Sequence, residues 1–225
     1  MKLDKSPQTI QTMFNVISDK YDFINKLISF GTQSIIKQSC INLLKVKPYS
    51  NVLDLCTGTG DMSRFVKKNQ PKANVIGIDF SEKMIEIAKN KNNNINYFLG
   101  DVTNLPFSDN MFDYAIMSFG LRNILNSEKA IDEVYRILKP NGLFLHLDFG
   151  EKNCLNRLFD TIVPHITGIF TENKYAYDYL INSKRQFLVP DDLIKDFESK
   201  GFVLKIKKNF IFNTISCQIM EKPYL

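Results

Sequence analysis

Between residues 51 and 150 short apolar runs alternate with amphipathic stretches, and each change of period marks a new element. VLDLC at 52–56 is too short and too apolar for a surface helix, so it reads as a strand, broken at Thr57-Gly58-Thr59-Gly60. Asp61 opens a helix running toward Lys68. A second strand over 73–80 precedes Ser81, a natural N-cap, with Glu82 in the first helical turn and Met84, Ile85 and Ala88 on the inward face. The asparagine-rich stretch 89–94 predicts a polar loop, 95–99 a third strand and 112–120 a fourth. A helix over 127–138, with Ala130, Val134, Ile137 and Leu138 on one side, is expected to stop at Pro140-Asn141-Gly142 before a fifth strand, GLFLHLDF. Strict alternation of this kind predicts an α/β fold, doubly wound, with a mostly parallel sheet covered on both faces.

The flanking regions read differently. Residues 1–48 predict a helical cover, with Ile10, Met13, Phe14 and Ile17 on one stripe and a break near Gly31. Residues 151–185 mix aromatic and basic groups around a Pro-His-Ile-Thr-Gly break, which suggests a helical insertion. A helix over 191–200, ended by Gly201, leads to strands at 202–210 and 214–221 that are expected to form an antiparallel edge and bring the sheet to seven strands. Neither an internal repeat nor a linker is visible. A length of 225 residues suits one domain: a cover (1–48), a cofactor core (49–150), a substrate-side insertion (151–189) and a C-terminal helix with strands (190–225).

Composition removes several classes. An apolar fraction of 44% with 24% charged residues argues against disordered and fibrous chains. No apolar run approaches the roughly 20 residues that span a bilayer, and MKLDKSPQTIQTMF lacks a signal-peptide core, so a cytoplasmic location is expected. Cys40, Cys56, Cys154 and Cys217 are scattered, and with His146 and His165 as the two histidines no metal site is expected. His146 lies inside an apolar strand and reads as a core residue, and His165 has no supporting pattern. Of the net charge of +5, residues 1–50 supply seven basic and three acidic groups. That surplus is thin for nucleic acid but compatible with contact to an anionic membrane.

The sharpest chemistry lies at the first strand end. Gly58 and Gly60 let the backbone turn tightly and approach a ligand, and Asp79, 19 residues after Gly60, is placed to accept both hydroxyl hydrogens of a ribose. Together they predict an adenosine cofactor. A nicotinamide dinucleotide fits the same logic, but Ser63 stands where its fingerprint wants a third small packing residue, and Asp61 opposes a pyrophosphate at the helix start. Asp54 supplies negative charge suited to an ammonium and a sulfonium group, both present in S-adenosylmethionine. Asp101 is placed for the adenine amino group, although a Gly-Asp pair also forms ordinary turns, and Ser118 is expected in the same crevice.

The order VLDLCTGTGD, GIDFSEKM, GDVTNLPFSDNMFD, SFGLRN, RILKPNG and LDF resembles the ubiquinone and menaquinone biosynthesis C-methyltransferases, a class I S-adenosylmethionine-dependent family. YDFINKLISFG is similar to its Tyr-Asp-x-x-Asn entry segment and YDYLINS to its Tyr-x-Tyr-Leu-x-x-Ser block, so the likeness covers nearly the whole chain. The resemblance implies a Rossmann-like methyltransferase fold, a prenylated quinol substrate, and cofactor contacts at Thr59, Asp79, Asp101, Val102 and Ser118. Differences are Ile36-Lys37 for a Trp-Arg pair, Asp148 for a Glu, and a closing block, NTISCQIMEKP, without the usual glycines and histidine. They leave the head group, benzoquinol or naphthoquinol, open.

Methyl transfer to an aromatic carbon needs positioning and a cation or base beside the ring hydroxyl. Arg122 with Asn123 is expected to stabilise the phenolate, with Asp148 and Tyr177 as helpers. The alternative for Arg122 is a plain ion pair. Aromatic-rich stretches at 21–30 and 159–179 suggest a lid over the prenyl tail, or core packing. A membrane-dissolved substrate implies weak peripheral contact with the inner membrane face, and a homodimer is left open. Rival functions are methylation of another small aromatic compound and a non-catalytic cofactor-binding paralogue. SFGLRN lacks the Pro-Pro-aromatic or Pro-Cys blocks of nucleic-acid methyltransferases.

Overall fold

The computed structural model describes residues 4–92, 94–170 and 174–224, the side chains at 164–170, 174, 175 and 177 excepted. Tyr177 and His165, as side chains, lie outside the described set. Two helices come first, α1 (Pro7–Ile28) and α2 (Thr32–Leu44), and Gly31 turns between them in the left-handed region at φ 74°. The chain continues through β1 (Asn51–Leu55), α3 (Asp61–Asn69), β2 (Asn74–Asp79), α4 (Glu82–Lys91), β3 (Asn96–Leu99) and β4 (Phe112–Ser118). A 3-10 turn (Leu121–Asn123) leads to α5 (Ser127–Ile137) and β5 (Leu138–Phe149). Then come α6 (Cys154–Phe170), α7 (Lys174–Gln186), α8 (Pro190–Ser199), β6 (Val203–Phe210) and β7 (Ile215–Glu221).

The described residues form a seven-stranded sheet in the order β3-β2-β1-β4-β5-β7-β6. The first five strands are parallel, and β7 runs antiparallel to both β5 and β6. The last hairpin therefore forms the expected antiparallel edge with its strands exchanged in space: β7 takes the inner place. Burial explains the exchange, since Ser216 to Met220 of β7 are all buried, whereas β6 alternates and carries Lys205, Lys207 and Lys208 on the outer edge.

Three local expectations need correction. Helix α4 continues to Lys91, into the stretch read as a polar loop, because Lys89 and Lys91 favour its last turn. Leu138 does not close α5; it already pairs with Phe112, and the register slips before Leu143 pairs with Tyr114. Lys139, Pro140, Asn141 and Gly142 thus bulge out of β5, where a proline without an N–H is tolerated. Helix α6 runs through Pro164 instead of breaking there.

Apolar layers cover both sheet faces. Ile36, Cys40 and Ile41 of α2, Met62 and Val66 of α3, and Ile85 of α4 pack on one side with Val52 and Ile116. On the other, Ile131 and Val134 of α5 and Leu193 and Phe197 of α8 pack with Leu53, Leu55 and Met117. A third cluster joins Met13, Ile17 and Ile24 of α1 to Ala176 and Tyr179 of α7. The central strands β1 and β4 are neighbours though not consecutive, so their connections leave in opposite directions and open a crevice at their carboxyl ends.

Candidate functional site

The crevice begins where both central strands turn away from the sheet. Cys56 and Phe119, immediately beyond β1 and β4, adopt left-handed backbone at φ 52° and 57°. Gly120 is required beside them, because a Cβ there would lie 2.7 Å from the Cβ of Cys56. Strain of this kind persists where surrounding structure holds it, often at functional sites. Burial pushes the Cys56 thiol well up, with Asp79 and Asp54 adding to the effect, so the thiol is inert as a nucleophile.

A cavity of ≈ 220 Å³ fills this crevice, bounded by Gly58, Asp79, Asp101, Val102, Ser118 and Asn123. Six expected site residues therefore meet at one place. Asp79 is oriented by two backbone donors: Gly58 N donates to Oδ2 at 2.8 Å and Ser81 N to Oδ1 at 2.9 Å. Burial nevertheless raises its carboxyl above the usual range. Asp101 accepts from Thr103 N at 2.8 Å, the turn-forming bond that its Gly-Asp context suggested. Ser118 Oγ and Asn123 Oδ1 are buried without a hydrogen-bond partner, which is costly unless a ligand supplies one. Two carboxylates, two orphaned polar atoms and a glycine with open space at its missing Cβ fit an adenosine-bearing cation.

Three expected cofactor residues stand elsewhere. Asp54 does not line the cavity. Alternation along β1 turns its side chain to the face covered by α2 and α3, where its Oδ2 accepts from Thr57 Oγ1 at 2.6 Å, Ser63 N at 2.9 Å and Ser63 Oγ at 2.7 Å. Ser63, which argued against a dinucleotide, thus anchors the loop to the strand. Gly60 lies behind the cavity wall at φ 81°, where a Cβ would come within 2.5 Å of Tyr97 Oη. Thr59 Oγ1 donates to Asp22 Oδ1 of α1 at 2.7 Å and so ties the cover to the glycine loop. Lys37, at the Ile36-Lys37 difference, is buried and pairs with Asp61 at 3.3 Å, preserving a cation there.

Arg122 and Asp148 form a buried ion pair beside a second cavity of ≈ 100 Å³. Arg122 Nη1 donates to Asp148 Oδ1 at 2.9 Å and to the Phe119 carbonyl at 2.7 Å, while its Nε has no partner. Its guanidinium carbon lies 5.7 Å from the Phe119 ring centre and 5.1 Å from that of Phe149. Arg122 is therefore placed next to the cofactor-sized cavity and not within it. Tyr21 and Phe119 border both cavities, and Asn25, Phe159 and Leu180 line the second. The entry segment and the Tyr-x-Tyr-Leu-x-x-Ser block so acquire physical roles: Tyr21, Asn25 and Leu180 are wall residues. His146 is buried, with Nδ1 2.9 Å from Gln218 Oε1, and burial lowers its pKa, as suits a core histidine.

The cover supplies residues that the strand-loop pattern did not reveal. Lys5, Gln11, Phe14 and Tyr21 close the first cavity from above. Gln11 Nε2 donates to the Phe80 carbonyl at 3.0 Å, and Ser81 Oγ donates to Asn15 Oδ1 at 2.6 Å. Lys5 is half-buried, and burial, then the charge of Arg122, lowers its pKa. Tyr21 was detectable through its motif; nothing in the local sequence marked Lys5.

Among solved structures, an S-adenosylmethionine-dependent methyltransferase of Thermotoga maritima superposes with a TM-score of 0.71 at 19% identity, covering 95% of this chain and 99% of that one. That likeness establishes the class I methyltransferase fold. The demethylmenaquinone methyltransferase of the same organism is 33% identical, over 92% of this chain and 93% of its own length. The ubiquinone/menaquinone biosynthesis C-methyltransferase of Haemophilus ducreyi is 34% identical, over 88% and 82%. With residues 2–221 matching the family model as well, the chain belongs to the ubiE/COQ5 methyltransferase family.

Proposed function

We propose that this methyltransferase alkylates a ring carbon of a prenylated quinol, with S-adenosylmethionine in the first cavity and the quinol reaching it from the second. The observation that carries the reading is the junction itself: a cavity with the Asp79 and Asp101 carboxylates in its wall shares Tyr21 and Phe119 with a second cavity that contains Arg122. Relatives at about one-third identity bear quinone-methylating names.

In this reading Asp79 accepts the ribose hydroxyl hydrogens, since its backbone donors occupy one side of each oxygen and leave others free. Asp101 and Val102 hold the adenine, and Gly58 allows close main-chain approach. Ser118 Oγ and Asn123 Oδ1 gain the partners they lack. Asp54, Thr59 and Gly60 act one step back, by shaping the loop. The cofactor supplies an electrophilic methyl group on sulfur.

The chain then has to promote loss of the ring hydroxyl proton, hold the ring carbon in line as the new carbon–carbon bond forms and the methyl–sulfur bond breaks, and let the hydrogen displaced from that carbon leave as a proton to solvent, which restores the aromatic ring and the hydroxyl. Arg122 supplies positive charge for the phenolate through its unpartnered Nε, and Asp148 orients the guanidinium. Lys5, which lines the first cavity from the cover, is the residue we assign to take the hydroxyl proton at the junction. We include Tyr177 as a helper on its place in the motif. Aromatic walls from Phe119 and Phe149 exclude water from this junction.

The acceptor class also supports weak, reversible contact with an anionic membrane surface through the basic first 50 residues. Among the described residues no helix is long and apolar enough to cross a membrane. Labelled-methyl transfer to a panel of demethylated benzoquinols and naphthoquinols tests the function. Transfer to one head group is expected, and absence of transfer to every member overturns it.

A further inference from the structure

Helix α1 buries one apolar face. Met13, Ile17 and Ile24 are buried against α7. Just past its end, in the turn that leads to α2, Phe30 is 88% exposed. Ile35, at the start of α2, is 71% exposed. Phe30 adopts a left-handed backbone at φ 48°, a conformation that side chains of its size rarely take. A bulky ring is thus held out toward solvent from a strained turn.

Charge and cavity position say what covers that corner. From Phe23 to Ile36 the chain carries Lys26 and no carboxylate, and Lys26 is exposed. Of the two acids on α1, Asp22 is committed to Thr59 and Lys91, which leaves Asp19 as the exposed one. The same corner bounds the second cavity through Ile28, Ser29 and Gln33, and the walls behind them include Phe159, Leu180 and Ile215. An apolar, weakly basic corner that also lines the second cavity fits the lipid–water interface.

We propose that the α1–α2 corner docks on an anionic bilayer, with Phe30 and Ile35 inserted among the lipids, and that the acceptor's apolar tail passes from the membrane into the second cavity there. The docking stands on the corner alone; the passage of the tail rests on the quinol reading above.

Sedimentation with phosphatidylcholine vesicles, with and without phosphatidylglycerol, tests the docking. Wild-type protein is expected to bind the anionic vesicles, and Phe30→Ser with Ile35→Ser to weaken that binding at least about tenfold. The unfolding temperature should not fall, because both side chains face solvent. Lys26→Glu should reduce the dependence on phosphatidylglycerol. The serine variant should still methylate a tail-less quinol and lose turnover of a long-tailed one presented in vesicles. Undiminished vesicle binding by the variant, no binding by the wild type, or a solution dimer that the same substitutions dissociate would each overturn the docking. If the wild type binds vesicles through Phe30 yet methylates no quinol, the substrate reading fails and the docking remains.

Discussion

Arg122 Nη1 lies 2.9 Å from Asp148 Oδ1, with both side chains almost completely shielded from water. A buried pair of this kind adds little net stability, but loss of one partner strands the other charge. Asp148→Leu alone is therefore expected to destabilise the fold by about 3–5 kcal/mol, whereas Arg122→Met with Asp148→Leu should recover most of that loss. If Arg122 stabilises the phenolate, the double variant refolds without regaining turnover, while still binding S-adenosylmethionine. Thermal unfolding and labelled-methyl transfer measure the two effects separately, and restored turnover rules out the role.

Asp79 offers a second separable contact. Asp79→Asn keeps one oxygen for a backbone donor but loses the charge and an acceptor for ribose. A charge-assisted hydrogen bond contributes about 1.5–3 kcal/mol, so affinity for S-adenosylmethionine should drop roughly tenfold to a hundredfold. Calorimetry checks this, and an unchanged affinity removes Asp79 from the cofactor site.

The two loop glycines should differ in kind. At Gly60 a Cβ would meet Tyr97 Oη at 2.5 Å in addition to the strain of φ 81°, whereas at Gly58 the space is open and φ 56° is the sole obstacle. Gly60→Ala is expected to lower the unfolding temperature clearly more than Gly58→Ala, which costs about 1–2 kcal/mol through backbone strain. Gly58→Ala should act chiefly on cofactor affinity. Equal unfolding temperatures would contradict the packing assigned to Tyr97.

Burial lifts the Asp54 carboxyl from 3.8 to about 6, against the pull of hydrogen bonds from Thr57 and Ser63. The folded protein therefore holds this proton more tightly than the unfolded chain does. Its contribution to stability is complete below 3.8 and is lost as pH rises through about 6. Relative to Asp54→Asn, the wild type should lose stability across that window. Denaturant titrations of both proteins at several pH values read the difference, and a flat difference places the proton elsewhere.

Lys5 distinguishes proton transfer from simple cover. Lys5→Met should reduce kcat by about a hundredfold or more, the range typical of a lost general base, with cofactor affinity kept. A wild-type pH–rate profile should show an ascending limb that disappears in the variant. Persistence of that limb transfers the role to another group.

Much of the fold was legible because β1, β2, β4 and β5 are interior parallel strands, and strands covered on both faces read as continuous apolar runs between turn residues. Gly58, Asp79, Asp101 and Ser118 were legible for a related reason. They sit at or just beyond strand ends, where a parallel sheet brings residues distant in the chain to one edge. Asp54 was misplaced in the crevice because proximity along the chain does not tell which face a strand residue occupies. For Arg122 both phenolate stabilisation and a plain ion pair stood as expectations, because a sequence does not show which carboxylate will meet a cation in space. Its partner proved to be Asp148, near the end of the neighbouring strand β5. The inner position of β7 was likewise a matter of competition between two neighbouring strands for a buried place. Lys5 and the second cavity lie further still from any local pattern, because the closure of α1 over the sheet rests on contacts such as Thr59 to Asp22 and Gln11 to Phe80 that join segments dozens of residues apart. Local propensity and periodicity set the elements and the chemistry at their ends; long-range packing set which of those groups face one another.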